Sequence, residues 1–366
     1  MTMCVRAFLQ GAPAAPGIDA VSAFRQKGGM DPSHIMQVGM GFWASKTLLS
    51  AVELELFTVL ARGPLTAHGI AEALALHPRA VPDFPDALVA LRLLAREGNG
   101  AAALYSNTAD ASVFLDKKSA AYIGGILEMA NARLYRFWAD LTPALKTGAP
   151  QNETKDGGDS MFAKLYEVPE RLEQFMSAMS GVSAGNFQLL AKQFDFSKYK
   201  TLCDVGGATG QLSCFVAAAH PHLECVSFDL PPVQPIAERR IDAAGLSGRV
   251  KAASGDFFVD ALPKADVITM GMILHDWNLE KKKVLIRKAY EALPPGGAFI
   301  AIEALIDDAR RENVFGLCMS LNMLVEFGDA FDYTGADFAI WCKEAGFSRC
   351  EVLPLAGPSS AAIAYK

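Results

Sequence analysis

The sequence has no uninterrupted run of apolar residues long enough to span a bilayer, so we expect no membrane-spanning helix. Arg6 stands near the N-terminus, but Gly11, Pro13 and Pro16 break the apolar stretch around it, which is untypical of a signal peptide. An excess of basic residues is also missing, because 34 lysines and arginines stand against 40 aspartates and glutamates. Nucleic-acid binding depends on basic side chains that meet phosphates, so this balance argues against a nucleic-acid partner.

Cysteine is sparse, and no two of the seven cysteines form a C-x-x-C pair. Their odd number, and apolar surroundings such as those of Cys203, favour buried free thiols over disulfides or a zinc site. Free thiols are typical of a reducing compartment, so we expect a cytoplasmic protein.

The remaining composition is that of a globular protein, with 51% hydrophobic and 20% charged residues. A length of 366 residues favours more than one domain. Residues 1–29 are rich in Ala, Gly and Pro and lack periodicity, so we expect a loose N-terminal extension before a fresh start at Met30.

Residues 30–120 have the pattern of three helices and a small hairpin, which is typical of a winged-helix domain. Apolar residues recur at helical spacing over 35–61, and further helices are predicted over 66–76 and 82–96. After the turn at Gly98-Asn99-Gly100, short strands are predicted around 104–105 and 113–114. Residues 1–110 contain 8 basic and 9 acidic residues, so we favour a dimerisation role over DNA binding.

Residues 121–195 look helical and are assigned to a linker that contributes to the substrate pocket. From residue 196 to 366, apolar strands alternate with amphipathic helices, which predicts a mostly parallel sheet with helices on both faces. The predicted strands are 201–205, 224–229, 250–253, 265–270, 298–304, 349–354 and 361–364.

Three strand ends carry a pattern that suits a nucleoside. The first predicted strand runs into the glycine-rich turn Asp204-Val205-Gly206-Gly207-Ala208-Thr209-Gly210, where the backbone can come close to a ligand. Asp229 ends the second strand, where an acid can accept both hydrogen bonds of a ribose diol. Asp256 follows the third strand and could take an adenine amino group, while Phe257 covers the ring. Either acid alone would more often be a cap or a turn former.

These motifs, together with Asp229-Leu230-Pro231, Gly255-Asp256-Phe257, His275-Asp276-Trp277 and Leu293-Pro294-Pro295-Gly296-Gly297, resemble those of the small-molecule O-methyltransferases. Plant caffeate-type enzymes, acetylserotonin methyltransferase and bacterial natural-product enzymes belong to that family. The resemblance covers nearly all of the chain from Met30 and departs from the family at Ala208, where a glycine is common. It implies a class I methyltransferase fold with a seven-stranded sheet, a homodimer, and S-adenosylmethionine as the cofactor.

The resemblance also implies the residues of the site. Cofactor contacts are expected from the following residues: Ser183, Asp204, Gly206, Gly207, Asp229, Leu230, Asp256, Phe257, Gly271 and Trp277. A small aromatic acceptor is expected between Phe162, Met179 and Met323, where core packing is almost as good an explanation of the methionines. Asn322 and Glu326 add polarity that could read a hydroxyl or an amine of this acceptor.

His275 is the predicted general base. An imidazole has an ordinary pKa near 6.5, so we expect it to be largely uncharged at neutral pH and able to take a phenol proton. Glu303 and Asp332 are expected to orient it. Asp332 stands where the family has glutamate, and it could instead cap the helix that begins near Thr334. His275, Asp276 and Glu303 show no metal-ligand spacing, so we expect no metal.

Two alternatives stay open at this point. The same cofactor site could serve methylation of nitrogen or carbon, or other cofactor-assisted chemistry. A winged-helix regulator that senses S-adenosylmethionine is the second alternative, and the neutral charge of residues 1–110 disfavours it.

Overall fold

The computed structural model describes residues 30–119, 121–155 and 169–366 of the chain. The described residues fall into two compact units, which are divided between Asn131 and Ala132. In the described ranges, no helix is long and apolar enough to cross a membrane. Cysteines of these ranges are free thiols, and Cys203, Cys225 and Cys342 are buried.

The first unit combines short helices with a three-stranded antiparallel sheet. The helices are α1 Ser33–Gly39, α2 Gly41–Glu53, α3 Leu56–Leu60, α4 Ala67–Ala73, α5 Asp83–Ala90, α6 Ala109–Phe114 and α7 Gly124–Met129. The strands are β1 Leu65–Thr66, β2 Leu94–Glu97 and β3 Leu104–Asn107, in the order β1-β3-β2. Apolar side chains of both kinds of element, among them Phe57, Ile70, Leu88 and Tyr105, form one buried core.

Three predictions for this unit are wrong. The helix predicted over 35–61 is three helices, because the chain breaks at Met40 and at Glu55, which has a left-handed φ of 56°. The helix predicted to reach Arg96 ends at Ala90, and 94–97 forms β2 by pairing with β3. The strand predicted around 113–114 belongs to α6, whose first turn is capped by the Thr108 side chain.

The second unit is built on a seven-stranded sheet in the order β6-β5-β4-β7-β8-β10-β9. Its strands are β4 Thr201–Val205, β5 Glu224–Asp229, β6 Val250–Ser254, β7 Val267–Gly271, β8 Ala298–Glu303, β9 Arg349–Pro354 and β10 Ser360–Tyr365. The strands β4 to β8 pair in parallel, and β10 is antiparallel to β8 and β9. Every strand predicted for residues 196–366 is present, with ends that differ by at most two residues.

Helices precede the sheet and connect its strands. They are α8 Tyr135–Phe137, α9 Leu141–Thr147, α10 Pro169–Gln193, α11 Gln211–Ala219, α12 Gln234–Ala243, α13 Leu279–Ala292, α14 Val314–Phe327 and α15 Gly335–Ala345. Strand β8 is buried along its whole length, as expected for a central strand covered on both faces. Because β4, β5, β7 and β8 are parallel, their carboxyl ends lie along one edge of the sheet.

Candidate active site

The turn after β4 brings the backbone close to the end of β5. The amides of Gly206 and Gly207 both point to the carbonyl of Phe228, at 2.8 and 3.3 Å. A Cβ on Gly207 would overlap the Ser227 hydroxyl, so only glycine fits there. Ala208 has a left-handed φ of 48°, a conformation that glycine adopts more easily, which explains the glycine of the related motif.

Asp229 joins this turn to the end of β5. Its Oδ2 accepts a hydrogen bond from the Ala208 amide at 2.9 Å, and its Oδ1 accepts one from the Leu230 amide at 2.7 Å. Burial raises the pKa of this carboxyl above its ordinary value. Both oxygens keep a second lone pair, so the carboxylate can still accept bonds from a diol.

Asp204 lies deeper, at the end of β4. Its Oδ1 accepts a hydrogen bond from the Thr269 hydroxyl at 2.7 Å, and the residue is 4% exposed. Burial raises the pKa of Asp204 to about 7. This carboxyl therefore holds the first strand end against β7, next to the glycine-rich turn.

Aromatic rings gather beside Asp256. The rings of Phe257 and Trp277 are 6.1 Å apart, and those of Phe258 and Trp277 are 4.7 Å apart, both edge to face. Asp256 Oδ1 accepts a hydrogen bond from the Phe258 amide at 2.8 Å. The Trp277 Nε1 is buried and finds no hydrogen-bond partner in the described ranges. An unsatisfied donor beside a ring wall fits a planar, polar ligand such as an adenine.

Helix α10 packs against the same edge of the sheet. The Ser180 and Thr209 hydroxyls are 2.7 Å apart, which links the helix to the glycine-rich turn. A Cβ on Gly271 would lie 3.3 Å from the Phe187 ring. Ser183 is half-buried on α10 at helical spacing from Ser180 and Phe187, so it shares their face.

His275 sits in a single turn of 3₁₀ helix, Leu274–Asp276, that follows β7. The imidazole is buried, with its Nδ1 3.4 Å from Asp332 Oδ1 and its Nε2 3.3 Å from Asp276 Oδ1. Glu303, the last residue of β8, supports the backbone of this turn. Its Oε1 accepts hydrogen bonds from the Leu274 and His275 amides at 3.1 and 3.4 Å.

The charge of this cluster differs from the sequence-based expectation. Burial lowers the pKa of His275, but Asp276, Glu303 and Asp332 outweigh burial and raise the pKa to about 10. Burial raises the pKa of Glu303 to about 7 and that of Asp276 to about 6. The prediction of a largely uncharged imidazole at neutral pH is therefore wrong, since three buried acids hold the proton on the ring.

Asp332 does not cap the following helix. The side chain of Thr334 is the N-cap of α15 and forms a capping box with Asp337. The backbone amide of Asp332 donates to the Ser320 hydroxyl at 3.2 Å, and both of its carboxylate oxygens are buried without a hydrogen-bond partner in the described part of the chain. Its Oδ1 lies 3.4 Å from His275 Nδ1, which is within the range of an ion pair but longer than an ordinary hydrogen bond.

Donor atoms of His275, Glu303 and Asp332 lie within 4.8 Å of one another, so geometry alone would allow a small cation between them. The same three groups also have the arrangement of an imidazole supported by acids. The absence of a metal stays a prediction.

The predicted acceptor residues are only partly brought together. Phe162 lies outside the described residues. Met179 is half-buried on α10, and Asn322, Met323 and Glu326 are buried on α14. Helix α14 packs against the turn that carries His275, and the charge of Glu326 is among the causes that raise the pKa of Asp276 in that turn.

Sequence reasoning missed several polar residues of this region. Asp276 touches the imidazole, and its place next to His275 in the chain was the available indication. Lys282 is buried, donates to the Trp277 carbonyl and lies 3.7 Å from the Phe331 ring centre, and burial lowers its pKa to about 8. Arg133 binds Glu326, and no local pattern links two residues 193 positions apart.

A parallel sheet with this glycine-rich turn, acids at successive strand ends and an imidazole at the same edge defines the class of S-adenosylmethionine-dependent methyltransferases. Residues 138–348 match the profile of the O-methyltransferase domain, and residues 36–117 match that of the O-methyltransferase dimerisation domain. The chain belongs to the O-methyltransferase family. This confirms the resemblance, the fold class and the cofactor predicted from the sequence.

Similar proteins cover almost the whole chain. The tetracenomycin polyketide synthesis 8-O-methyl transferase TcmO of Streptomyces glaucescens is 40% identical over 335 residues, which are 92% of this chain and 97% of the relative. The N,N-dimethyltransferase OxyT of Streptomyces rimosus is 37% identical over 86% of this chain and 90% of its own. The crystal structure of human N-acetylserotonin methyltransferase in complex with the cofactor has a TM-score of 0.85 and 28% identity, covering 93% and 99% of the two chains.

Proposed function

We propose that this enzyme methylates a phenolic or enolic hydroxyl of a small planar aromatic molecule, with His275 as the general base. The observation that carries the proposal is the position of this imidazole. It is buried at the sheet edge that bears the glycine-rich turn, and it contacts two carboxylates, Asp276 and Asp332.

The cofactor residues divide by the chemistry of their groups. Asp229 would accept the ribose hydroxyls, while Asp256, Phe257 and Trp277 would hold the adenine, with Leu230 packed beside them. The methionine end would lie along the following residues: Ser183, Asp204, Gly206, Gly207 and Gly271. When bound, S-adenosylmethionine supplies an electrophilic methyl group on its sulfonium.

His275 exchanges one proton with the acceptor oxygen. A phenol has a pKa near 10, close to the value of about 10 for this imidazole, so transfer between them costs little free energy. At neutral pH the imidazolium would receive an ionised acceptor and stabilise its oxyanion. This state holds the same number of protons as a neutral imidazole beside a phenol.

Glu303 and Asp332 have different tasks in this proposal. Glu303 fixes the backbone of the turn through the Leu274 and His275 amides. Asp332 faces Nδ1, where it would orient the ring and stabilise the imidazolium. Asp276 faces Nε2, and its charge is the largest single cause that raises the pKa of His275.

The acceptor would lie between Met179, Met323 and the predicted Phe162, with Asn322 and Glu326 as polar contacts. The relative TcmO, an 8-O-methyl transferase of tetracenomycin polyketide synthesis, supports an aromatic natural product as the acceptor class. The dimerisation profile supports a homodimer in which residues 30–120 form a winged-helix-like dimerisation domain. The same proposal assigns residues 121–195 to the pocket segment and residues 196–366 to the cofactor domain. It also places the protein in the cytoplasm.

A screen of catechols, phenols, hydroxyindoles and phenazines tests this function. The purified enzyme should form S-adenosylhomocysteine and a methyl ether from at least one of them, as read by mass spectrometry. Formation of neither product from any hydroxylated aromatic molecule would contradict the proposal.

Transfer to nitrogen is the second candidate, because OxyT is named as an N,N-dimethyltransferase. The raised pKa of His275 favours oxygen, since a neutral amine needs no base to attack a methyl group. Paired aminophenol and anisidine probes separate the two. A methylated amine from anisidine would favour nitrogen.

A further inference from the structure

Asn322 and Glu326 lie one turn apart on α14, and the segment between residues 132 and 155 holds one end of each. The Trp138 Nε1 donates a hydrogen bond to Asn322 Oδ1 at 2.8 Å. An indole nitrogen can only donate, so its partner must be the amide oxygen, and Nδ2 is the free end. The described part of the chain offers this Nδ2 no hydrogen-bond partner.

Glu326 is held in the same manner. Its Oε2 accepts hydrogen bonds from Arg133 at 2.8 Å and from the Asn152 side chain at 3.4 Å. Arg133 is itself fixed by both oxygens of Glu153, at 2.5 and 2.7 Å. The other oxygen of Glu326, Oε1, is buried and has no partner within the described ranges. A buried carboxylate oxygen without a donor is costly, so the site is incomplete without a ligand group.

We propose that Asn322 and Glu326 bind an uncharged group of the acceptor that places a hydrogen-bond acceptor beside a donor, as a primary carboxamide does. Asn322 Nδ2 donates to the carbonyl oxygen of this group, and Glu326 Oε1 accepts its N–H. Side chains four residues apart on a helix have Cβ atoms about 5–6 Å apart, which suits the two ends of one small group. The inference rests on the proposed function, because it assigns the specificity of the same site.

The free Oε1 of Glu326 disfavours an ionised carboxylate at this place, although Arg133 binds the other oxygen of Glu326. Asp276 feels the charge of Glu326, and α14 packs against the turn that bears His275. A carboxylate in this place would face Glu326 directly and lose the N–H that Oε1 requires. The site therefore selects a carboxamide over the carboxylate of the same shape.

Binding of matched hydroxynaphthamides and hydroxynaphthoic acids, with the hydroxyl at each available ring position, tests this assignment. Calorimetry uses the enzyme saturated with S-adenosylhomocysteine. The wild type should bind at least one amide about tenfold or more tightly than its acid.

Glu326→Gln should invert this order. The Arg133 guanidinium can only donate hydrogen bonds, so it should bind the oxygen of the new amide. The amide nitrogen is then the free end, and it places an N–H donor beside the Asn322 amide. Two donors complement a carboxylate, and the acid should then bind more tightly than the amide by about tenfold.

Glu153→Gln is the matched control. Like Glu326→Gln, it removes one carboxylate charge that faces Arg133, but it changes neither Asn322 Nδ2 nor Glu326 Oε1. It should keep the wild-type order of the two affinities. Equal affinities in the wild type, binding of neither probe, or a parallel shift in both variants would overturn the inference. Turnover of simple naphthols by the wild type is measured separately. Its absence would count against the proposed function and not against the assignment of Asn322 and Glu326.

Discussion

The Nε2 of His275 lies 3.3 Å from the Oδ1 of Asp276, the residue that follows it in the chain. The opposite nitrogen faces Asp332, so the imidazole lies between two carboxylates inside the protein. A histidine in this setting keeps its proton to a much higher pH than one in water. The pKa of the proposed base is therefore close to that of a phenol and well above neutral pH.

The pH dependence of turnover follows from this arrangement. With a phenol of pKa near 10 as the acceptor, kcat/KM should rise about tenfold per pH unit from pH 7 towards pH 10. The reason is that the reactive state has only one proton between the imidazole and the acceptor oxygen, and its population grows as the pH rises. Asp276→Asn removes a charge that raises the pKa of His275, so the rising limb should move to lower pH. Initial rates between pH 6.5 and 10 check this, and a flat profile from pH 7 to 9 would contradict it.

Asp204 should make the protein less stable as the pH rises. Burial raises its pKa from 3.8 to about 7, so the native state holds a proton that the unfolded chain releases between these values. The contribution of Asp204 to the free energy of unfolding is fully present below pH 3.8. It falls by about 1.4 kcal/mol per pH unit up to pH 7. Asp204→Asn keeps the acceptor for Thr269 and removes this loss.

Thermal unfolding without cofactor measures the difference. The Asp204→Asn variant should unfold at a higher temperature than the wild type at pH 8 and at nearly the same temperature at pH 4. An equal difference at both values would show that the ionisation of Asp204 is not its cause.

Removal of metal ions should not affect turnover. His275, Glu303 and Asp332 could surround a cation, but the proposed role of the imidazole needs nitrogens that no metal ion holds. Dialysis against a chelator should leave kcat unchanged, with metal content checked by mass spectrometry. Activity that disappears and returns with a divalent ion would contradict the account.

Apolar side chains on α1 and α2 should form the dimer contact. Ile35, Val38, Phe42 and Trp43 are 51–73% exposed in the single chain. Trp43→Asp should convert the dimer to a monomer of 39.2 kDa in light scattering. Val259→Asp is the control, because Val259 is 78% exposed but lies in the second unit. A dimer that survives the first substitution, or dissociates in both variants, would place the contact elsewhere.

The sheet and its strand ends could be predicted from the sequence because their pattern is local. Each strand is a short apolar run, and parallel strands bring Asp229 and Glu303 to one edge without further information. The segment 94–97 shows the limit of this reasoning. Leu94, Ala95, Arg96 and Glu97 are helix formers, and only pairing with 104–107 makes them a strand.

The electrostatics of the site could not be predicted in the same way. The charge of His275 depends on Asp332, which is 57 positions further along the chain, and on the depth at which both are buried. The free oxygen of Glu326 depends on Arg133, 193 positions away. Such contacts follow from tertiary packing, and no periodicity or motif contains them.

Product formation and cofactor binding by His275→Gln test the central claim most directly. The variant should bind S-adenosylmethionine as the wild type does in calorimetry, while formation of S-adenosylhomocysteine from a phenolic acceptor falls by about 10²–10⁴-fold. Turnover close to that of the wild type would show that the imidazole does not handle the proton of the acceptor, and the account would be wrong.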